Sequence, residues 1–279
     1  MKFSIIMATV NAEKHLPRAL RSICDQTCAD YEVIIQDGGS TDASARIAAD
    51  FGERVFWESV NDSGIYDAWN KALKRIQGDW VLFLGADDML LHKDVLQQAA
   101  DMLEELPEQI IFAYGDLIIG TDGYPEQFIH RSLRAVYTIM LNTMGLPFPA
   151  TFVRASLFTK QQFDTQFRIA GDYDLAARCM TADNIARLPL AITYMEDGGV
   201  SRSSAFESIM REEREQVLHT SILPRAEEFV GACIKYMDDA PCCGSKKKIA
   251  PGPLRAIGKK LRLRHKARVN GGRRSITGF

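Results

Sequence analysis

Three polar clusters in this chain fall where an open α/β sheet binds its ligands. Thr9-Val10-Asn11 follows an apolar run at residues 3–8, Asp37-Gly38-Gly39-Ser40-Thr41-Asp42 follows one at 31–35, and Asp87-Asp88 comes just after one at 80–84. In a parallel sheet the crevice beyond the carboxyl ends of the strands takes the ligand. Any one cluster reads equally well as a turn or a helix cap, but three on one rim point to a site. The chemistry they suit is binding of a nucleotide diphosphate through a metal. The Asp37 carboxylate can accept from a base N–H or a ribose hydroxyl, and Gly38 and Gly39 let a ligand approach the backbone closely. Asp87 or Asp88 offers hard oxygen to Mg²⁺ or Mn²⁺, which would neutralise a departing diphosphate. Rival phosphate-binding schemes fail on sequence: there is no G-x-x-x-x-G-K-S/T, and no G-x-G-x-x-G between the first strand and helix.

To place those clusters, strands must alternate with amphipathic helices. Strands are expected at 3–8, 31–35, 54–58 and 80–84. Between them Leu16, Leu20 and Ile23 recur at helical spacing, and residues 43–51 suggest a second helix capped by Ser40 or Thr41. Ile65, Trp69, Ala72, Leu73 and Ile76 mark one face of a third, which Gly78 ends. This pattern predicts an α/β fold, a mostly parallel sheet with helices on both faces. Further on, strands are expected at 110–114, 117–119, 151–154 and 191–195, and a helix at 172–180. Residues 204–236 read as one or two helices broken near Pro224.

With 46% apolar and 25% charged residues in 279, the composition is that of a globular protein. No run of eighteen apolar residues is present, the N-terminal residues show no signal-peptide cleavage pattern, and the six cysteines complete neither a zinc site nor a disulfide framework. The expectation is a cytoplasmic protein with reduced thiols. The net charge of −2 conceals an asymmetry: residues 245–279 carry twelve Lys or Arg and no acid, leaving −14 over 1–244. Such a tail can hold a chain to an anionic membrane surface, and Leu254, Ile257, Leu261 and Leu263 interleave well enough for an interfacial helix. A solvated tail is the plainer alternative. Nucleic acid is not expected as a partner, because no binding motif accompanies the charges and no aromatic residue lies between 245 and 278.

Five ordered motifs carry a resemblance. They are Ser4-Ile5-Ile6-Met7-Ala8-Thr9-Val10-Asn11, Gln36-Asp37-Gly38-Gly39-Ser40-Thr41-Asp42, the segment from Asn61-Asp62-Ser63-Gly64-Ile65-Tyr66-Asp67 to Lys71, Leu84-Gly85-Ala86-Asp87-Asp88, and Gly171-Asp172-Tyr173-Asp174-Leu175. The run from Phe3 to about Ser201, about 70% of the chain, resembles a family 2 glycosyltransferase with the Rossmann-like GT-A fold, of the bacterial type that builds surface polysaccharides. The resemblance implies transfer of one sugar, with inversion, from a nucleotide-sugar donor, usually UDP-linked, to a glycan or lipid-linked glycan. It places Thr9, Asn11 and Asp37 on the uracil and ribose, with Ser40 fixing the Asp37 loop, and adds Asp62, near the base and ribose, and Asn70, on the helix that follows, to the nucleotide-binding residues. Asp87 corresponds to the last Asp of the metal-binding D-x-D motif, with Asp88 beside it and Gly85 in place of the first Asp. Asp172 corresponds to the general base, with Asp174 the alternative and a plain helix cap the bland reading.

The implied organisation is a glycosyltransferase domain at 1–203, with a nucleotide-binding half at 1–105 and an acceptor-binding half at 106–203. A helical extension follows at 204–244, then the basic tail. Two departures stand out. Phe148-Pro149 precedes Ala150-Thr151-Phe152 where many relatives carry a His, and no Q-x-x-R-W follows Asp172, which argues against a processive enzyme. Gly198-Gly199-Val200-Ser201 reads as a phosphate- or acceptor-side loop or a plain turn. The competing functional classes are a catalytically silent sugar-nucleotide-binding scaffold and a nucleotidyltransferase. The latter normally needs a basic, glycine-rich loop that Asn11-Ala12-Glu13-Lys14 does not supply.

Overall fold

In the computed structural model, strand β1 (Phe3–Thr9) sits at the centre of a parallel group, between β2 (Tyr31–Asp37) and β4 (Trp80–Phe83), with β3 (Val55–Ser59) outside β2. The model describes residues 3–198 and 204–237. The glycine loop beyond Gly198 and the basic tail at 245–279 lie outside the described residues. Both faces of β1 are covered, so its unbroken apolar run is what a strand between two helical layers requires. Helix α1 (Leu16–Cys24) starts with a proline in its first turn and buries Leu16, Ala19, Leu20 and Ile23, the spacing of one helical stripe.

Two expected boundaries move. Helix α2 is short, Ser44–Ala49, and neither Ser40 nor Thr41 caps it. Asp42 accepts from the Ser44 N–H instead (3.0 Å), because Ser40 and Thr41 are held by Asp37 and Asn11. Helix α3 (Ile65–Ala72) stops before Ile76, closing in tight turns at Lys74 and Arg75.

Beyond β4 the sheet becomes mixed. After the short β5 (Met89–Leu90) and α4 (Val95–Glu104), strand β6 (Phe112–Thr121) runs as one ten-residue strand where two were expected. Gly115 interrupts the apolar pattern there: a Cβ on it would come within 2.3 Å of the Leu190 carbonyl oxygen. The strand β7 (Tyr124–Ile129), unseen in the hydrophobic pattern because its side chains are mostly exposed, pairs with β6 through an Asp122-Gly123 hairpin turn. Both turn residues have positive φ, 52° and 87°, which is the geometry this dipeptide favours. Helix α5 (Leu133–Met140) leads to β8 (Thr151–Arg154), which pairs antiparallel with both β4 and β6 and so ties the two halves into one sheet. Helix α6 (Gly171–Cys179) precedes β9 (Ile185–Glu196), longer than expected, parallel to β6 and antiparallel to β5. The order is β3-β2-β1-β4-β8-β6-β9-β5, with β7 beside β6. Two further helices, α7 (Glu207–Val217) and α8 (Ala226–Lys235), are separated by irregular turns around Pro224, as expected.

Asn70 has a place in this framework rather than at the nucleotide. Its side chain donates to the Phe163 carbonyl (2.8 Å) and accepts from the Phe163 N–H (3.0 Å). That pins Phe163 into an aromatic group with Tyr66, Trp69 and Phe83, at ring separations of 5.6, 5.1 and 5.2 Å. Replacing Asn70 with Ala strands both Phe163 backbone groups, so urea unfolding should show a loss of about 1–3 kcal/mol.

Candidate active site

The carboxyl ends of β1, β4 and β9, the start of α3 and residues 168–172 enclose a cleft of about 680 Å³. Of the residues singled out from sequence, Thr9, Asn11, Asp87, Asp88 and Asp172 line it; Asp37, Ser40, Asp62 and Asn70 do not. Thr9 has its Oγ1 buried and unpartnered among the described residues.

Asp37 lies beneath the rim, 1% exposed, and both of its oxygens are taken. Oδ2 accepts from the Gly39 N–H (3.1 Å), the Ser40 N–H (2.8 Å) and the Ser59 hydroxyl (2.6 Å), while Oδ1 accepts from the Ser40 hydroxyl. Three donors crowd Oδ2 and one meets Oδ1. Buried and bonded in this way, the carboxylate organises its own loop. The Ser40 Oγ also accepts from the Asn11 N–H (2.7 Å), and Asn11 Oδ1 accepts from the Thr41 N–H (2.9 Å), so the first two polar clusters are stitched together. Asp62 closes the loop from the other side: its Oδ2 and the Val10 side chain each lie 2.7 Å from where a Gly38 Cβ would stand. A side chain at residue 38 would need both to move.

The neighbouring acids Asp87 and Asp88 divide their work. Asp88 is 5% exposed and accepts from the backbone N–H groups of Gly85 and Glu196, each at 3.1 Å. Burial, helped by the negative charges of Asp87 and Glu196, pushes its carboxyl up to about 7. Asp88 thus joins the end of β4 to the end of β9. Glu196 is held in turn by Arg18, which also donates to the Asp87 carbonyl (3.0 Å). That leaves Asp87, half-buried on the cleft wall, as the carboxylate available to a cation. Among the described residues no group of three metal-ligating side chains forms a cage. One carboxylate fits Mg²⁺ or Mn²⁺ arriving with a diphosphate, since such ions take one or two protein carboxylates plus phosphate oxygens and water. Gly85 stands where the first D-x-D acid would be, and the two following carboxylates pack close over it. A Cβ on Gly85 would lie 2.6 Å from Asp87 Oδ1 and 2.8 Å from Asp88 Oδ2.

Asp172 and Asp174 divide in the same way. Asp174, 4% exposed, accepts from the Arg178 Nε (2.8 Å) and the Ser221 hydroxyl (3.0 Å), and is tied into the helices. This removes it as the alternative base. Asp172 sits in the first turn of α6, where Ala170 is the capping residue, and its Oδ1 accepts from the Tyr173 N–H (2.8 Å) and from the Tyr66 phenol (3.3 Å). Burial raises its carboxyl from 3.8 to about 6 against those hydrogen bonds. Tyr66 stays a donor because burial holds its phenol well above the usual range. A second cavity, about 380 Å³, shares Asp172 with the first, along with Phe148, Pro149, Ile169 and Met195. The base candidate therefore stands where the two cavities meet, beside the Phe148-Pro149 step that replaces the family's histidine.

Sequence reasoning missed what holds Asp172 there. Glu213 of α7, 8% exposed, accepts from three consecutive backbone N–H groups: Arg168 (2.7 Å), Ile169 (2.9 Å) and Ala170 (2.8 Å). The Ile169 carbonyl shares the single Tyr66 phenol proton (2.5 Å), and the longer contact to Asp172 is the weaker branch. Glu213 is one of several charged residues along its helix, and only burial distinguishes it. Arg168, which lines the cleft and so brings positive charge to it, was equally unmarked in the sequence.

A nucleotide-binding rim, one available acid at the end of β4 and a base candidate across the cleft define a glycosyltransferase of the GT-A type. The chain belongs to glycosyl transferase family 2, whose family model matches residues 4–160. It is 33% identical over 210 residues to a PGL/p-HBAD biosynthesis glycosyltransferase of Mycobacterium tuberculosis, covering 72% of this chain and 79% of the relative. Among solved structures, Staphylococcus aureus TarS in a truncated form with UDP-GlcNAc superposes with a TM-score of 0.58 at 20% identity, over 86% of this chain and 82% of that one. Against full-length TarS the chain covers 43% of the longer protein. The mannosyltransferase PcManGT of Pyrobaculum calidifontis, with GDP-Man and Mn²⁺, gives 0.55 at 16% identity, over 94% and 80%.

Glu213→Ala should leave three N–H groups without an acceptor, of which the buried Ala170 N–H costs about 1–3 kcal/mol while those of Arg168 and Ile169 can turn to water. Thermal or urea unfolding should register a loss of at least one such increment.

Proposed function

We propose that the chain is an inverting glycosyltransferase that moves a single sugar from a nucleotide diphosphate donor, a UDP-sugar, onto a hydroxyl of a glycan or lipid-linked glycan. The observation that carries this reading is the position of Asp172 at the junction of the two cavities. The first cavity takes the donor, with Thr9 and Asn11 at the nucleoside end and Asp87 and Arg168 toward the diphosphate. The second takes the acceptor. As the acceptor oxygen attacks C1 of the sugar, its proton passes to the Asp172 carboxylate. The new C1–O bond forms as the bond from C1 to the diphosphate breaks, and the electron pair leaves on the diphosphate, on the face away from the acceptor. Asp87 is the residue to hold Mg²⁺ or Mn²⁺, which supplies charge neutralisation to the leaving group when bound.

The relatives support the donor and acceptor classes without fixing them. One neighbour holds UDP-GlcNAc and another GDP-Man with Mn²⁺, and the mycobacterial relative is named for PGL/p-HBAD biosynthesis. Single transfer is the reading because no Q-x-x-R-W follows Asp172. Among the described residues no helix is long and apolar enough to cross a membrane.

Two experiments test the assignment once a thermal-shift screen of nucleotide sugars has identified the donor. Asp172→Asn should keep UDP affinity but lose about 10²-fold or more in turnover. In the wild type, because burial raises the Asp172 carboxyl to about 6, the ionised base is lost as pH falls through that value. The rate should then drop about tenfold per pH unit below it, and a flat profile down to pH 4 would remove Asp172 as the base. Separately, Asp87→Ala and excess chelator should each abolish transfer; full activity in chelator would exclude a metal on Asp87.

A further inference from the structure

The second cavity has a lining that a neutral sugar alone would not match. Its wall is built from Leu117, Ile119, Ile129, Leu146, Met144 and Met210. Set into that wall are two arginines, Arg131 and Arg214, and the only acid on the lining is Asp172. Arg131 follows the end of β7 and is half-buried. Its Nη1 donates to the carbonyls of Met144 (3.3 Å) and Gly145 (2.6 Å), and it forms no ion pair among the described residues. Burial pulls its pKa down, with only the Tyr114 phenol acting the other way, so no carboxylate offsets the charge. A half-buried guanidinium with carbonyl partners and no counter-charge among the described residues is a costly arrangement. What it offers is a forked donor set for a phosphate or carboxylate. Arg214 brings a second positive charge from α7, near enough to lower the Asp172 carboxyl. Free phosphate would leave the apolar wall unmatched, and a neutral hydrocarbon would leave Arg131 unmatched. An occupant that satisfies both is an amphiphile with an anionic group. A volume of about 380 Å³ holds such a head and the first part of its apolar portion.

We propose that the second cavity binds an amphiphilic anion, an apolar chain or ring bearing a phosphate or carboxylate, with the anionic group at Arg131 and Arg214 and the apolar part against the wall of β6, β7 and α7. This deepens the reading of the cavity as the acceptor side and rests on it. The acceptor is then a molecule whose sugar-accepting hydroxyl lies close to an anionic group and a hydrophobic body.

The test uses the full chain saturated with UDP and reads binding directly by calorimetry, with octyl phosphate, sodium octanoate, 1-octanol and inorganic phosphate as separate probes. Octyl phosphate or octanoate should bind about tenfold or more tighter than both 1-octanol and inorganic phosphate. Which of the two binds better tells phosphate from carboxylate. Arg131→Gln should erase the preference over 1-octanol, and Ile129→Trp, which fills the cavity without removing a charge, should abolish binding of the octyl anions. Should Arg131→Gln fail to melt cooperatively, Arg131→Lys and the exposed-site variant Arg214→Gln carry the same comparison, each with a weakened preference expected. The proposal is overturned if octyl phosphate and octanoate bind no tighter than 1-octanol, if inorganic phosphate binds as well as they do, or if the cavity variants leave their binding unchanged. Because no turnover enters these readings, their failure is distinct from failure of the transfer mechanism, which Asp172→Asn decides.

Discussion

A carboxylate removed from water has to be given hydrogen-bond donors, and in this protein the donors are mostly backbone N–H groups of the loops around the cleft. Asp37 gathers Gly39 and Ser40, Asp88 gathers Gly85 and Glu196, and Glu213 gathers residues 168–170. Each of these acids is buried, and each fixes a segment that would otherwise be a free loop at the mouth of the sheet. The segments so fixed carry Asn11 and the glycine turn, Asp87, and Asp172. Rigidity at the cleft comes from acids that do not themselves face the cavity centre, which is how a site on loops can hold its chemical groups in place.

The same constraint explains why acids come in neighbouring pairs of unlike fate. Asp87 and Asp88 leave the end of β4 in different directions, and Asp172 and Asp174 stand two positions apart on the first turns of α6. In each pair one member is buried and fastens elements together, and the other is half-buried on the cavity wall. Sequence alone shows two equivalent acids. The fold makes one a fastening and leaves the other the candidate for chemistry.

Much of the N-terminal half was legible because β1, β2 and β4 are buried on both faces and appear as mostly apolar runs bounded by polar clusters. The rim of the cleft followed from where those runs end. What escaped the sequence did so for identifiable reasons. Strand β7 is an exposed edge with a proline in it, so hydrophobic patterning does not register it, although Asp122-Gly123 was a usable hairpin signal. Strand β6 looked broken because Gly115 has no side chain, and the close approach of Leu190 is why. Asn70 was read as nucleotide-binding from its place in a motif, whereas its amide is matched to the backbone of Phe163, 93 residues away. Glu213 lies on a helix where every turn offers an acid, and long-range geometry alone selects it.

Helix α7 carries Glu213, which fastens the segment before Asp172, and also Met210 and Arg214, which line the second cavity. The helix lies beyond the stretch that the family model matches. One helix therefore couples the shape of the second cavity to the placing of Asp172: a shift of α7 that reshapes the wall also moves the acceptor of the 168–170 backbone. Exchanging this helix between relatives would transmit both features together.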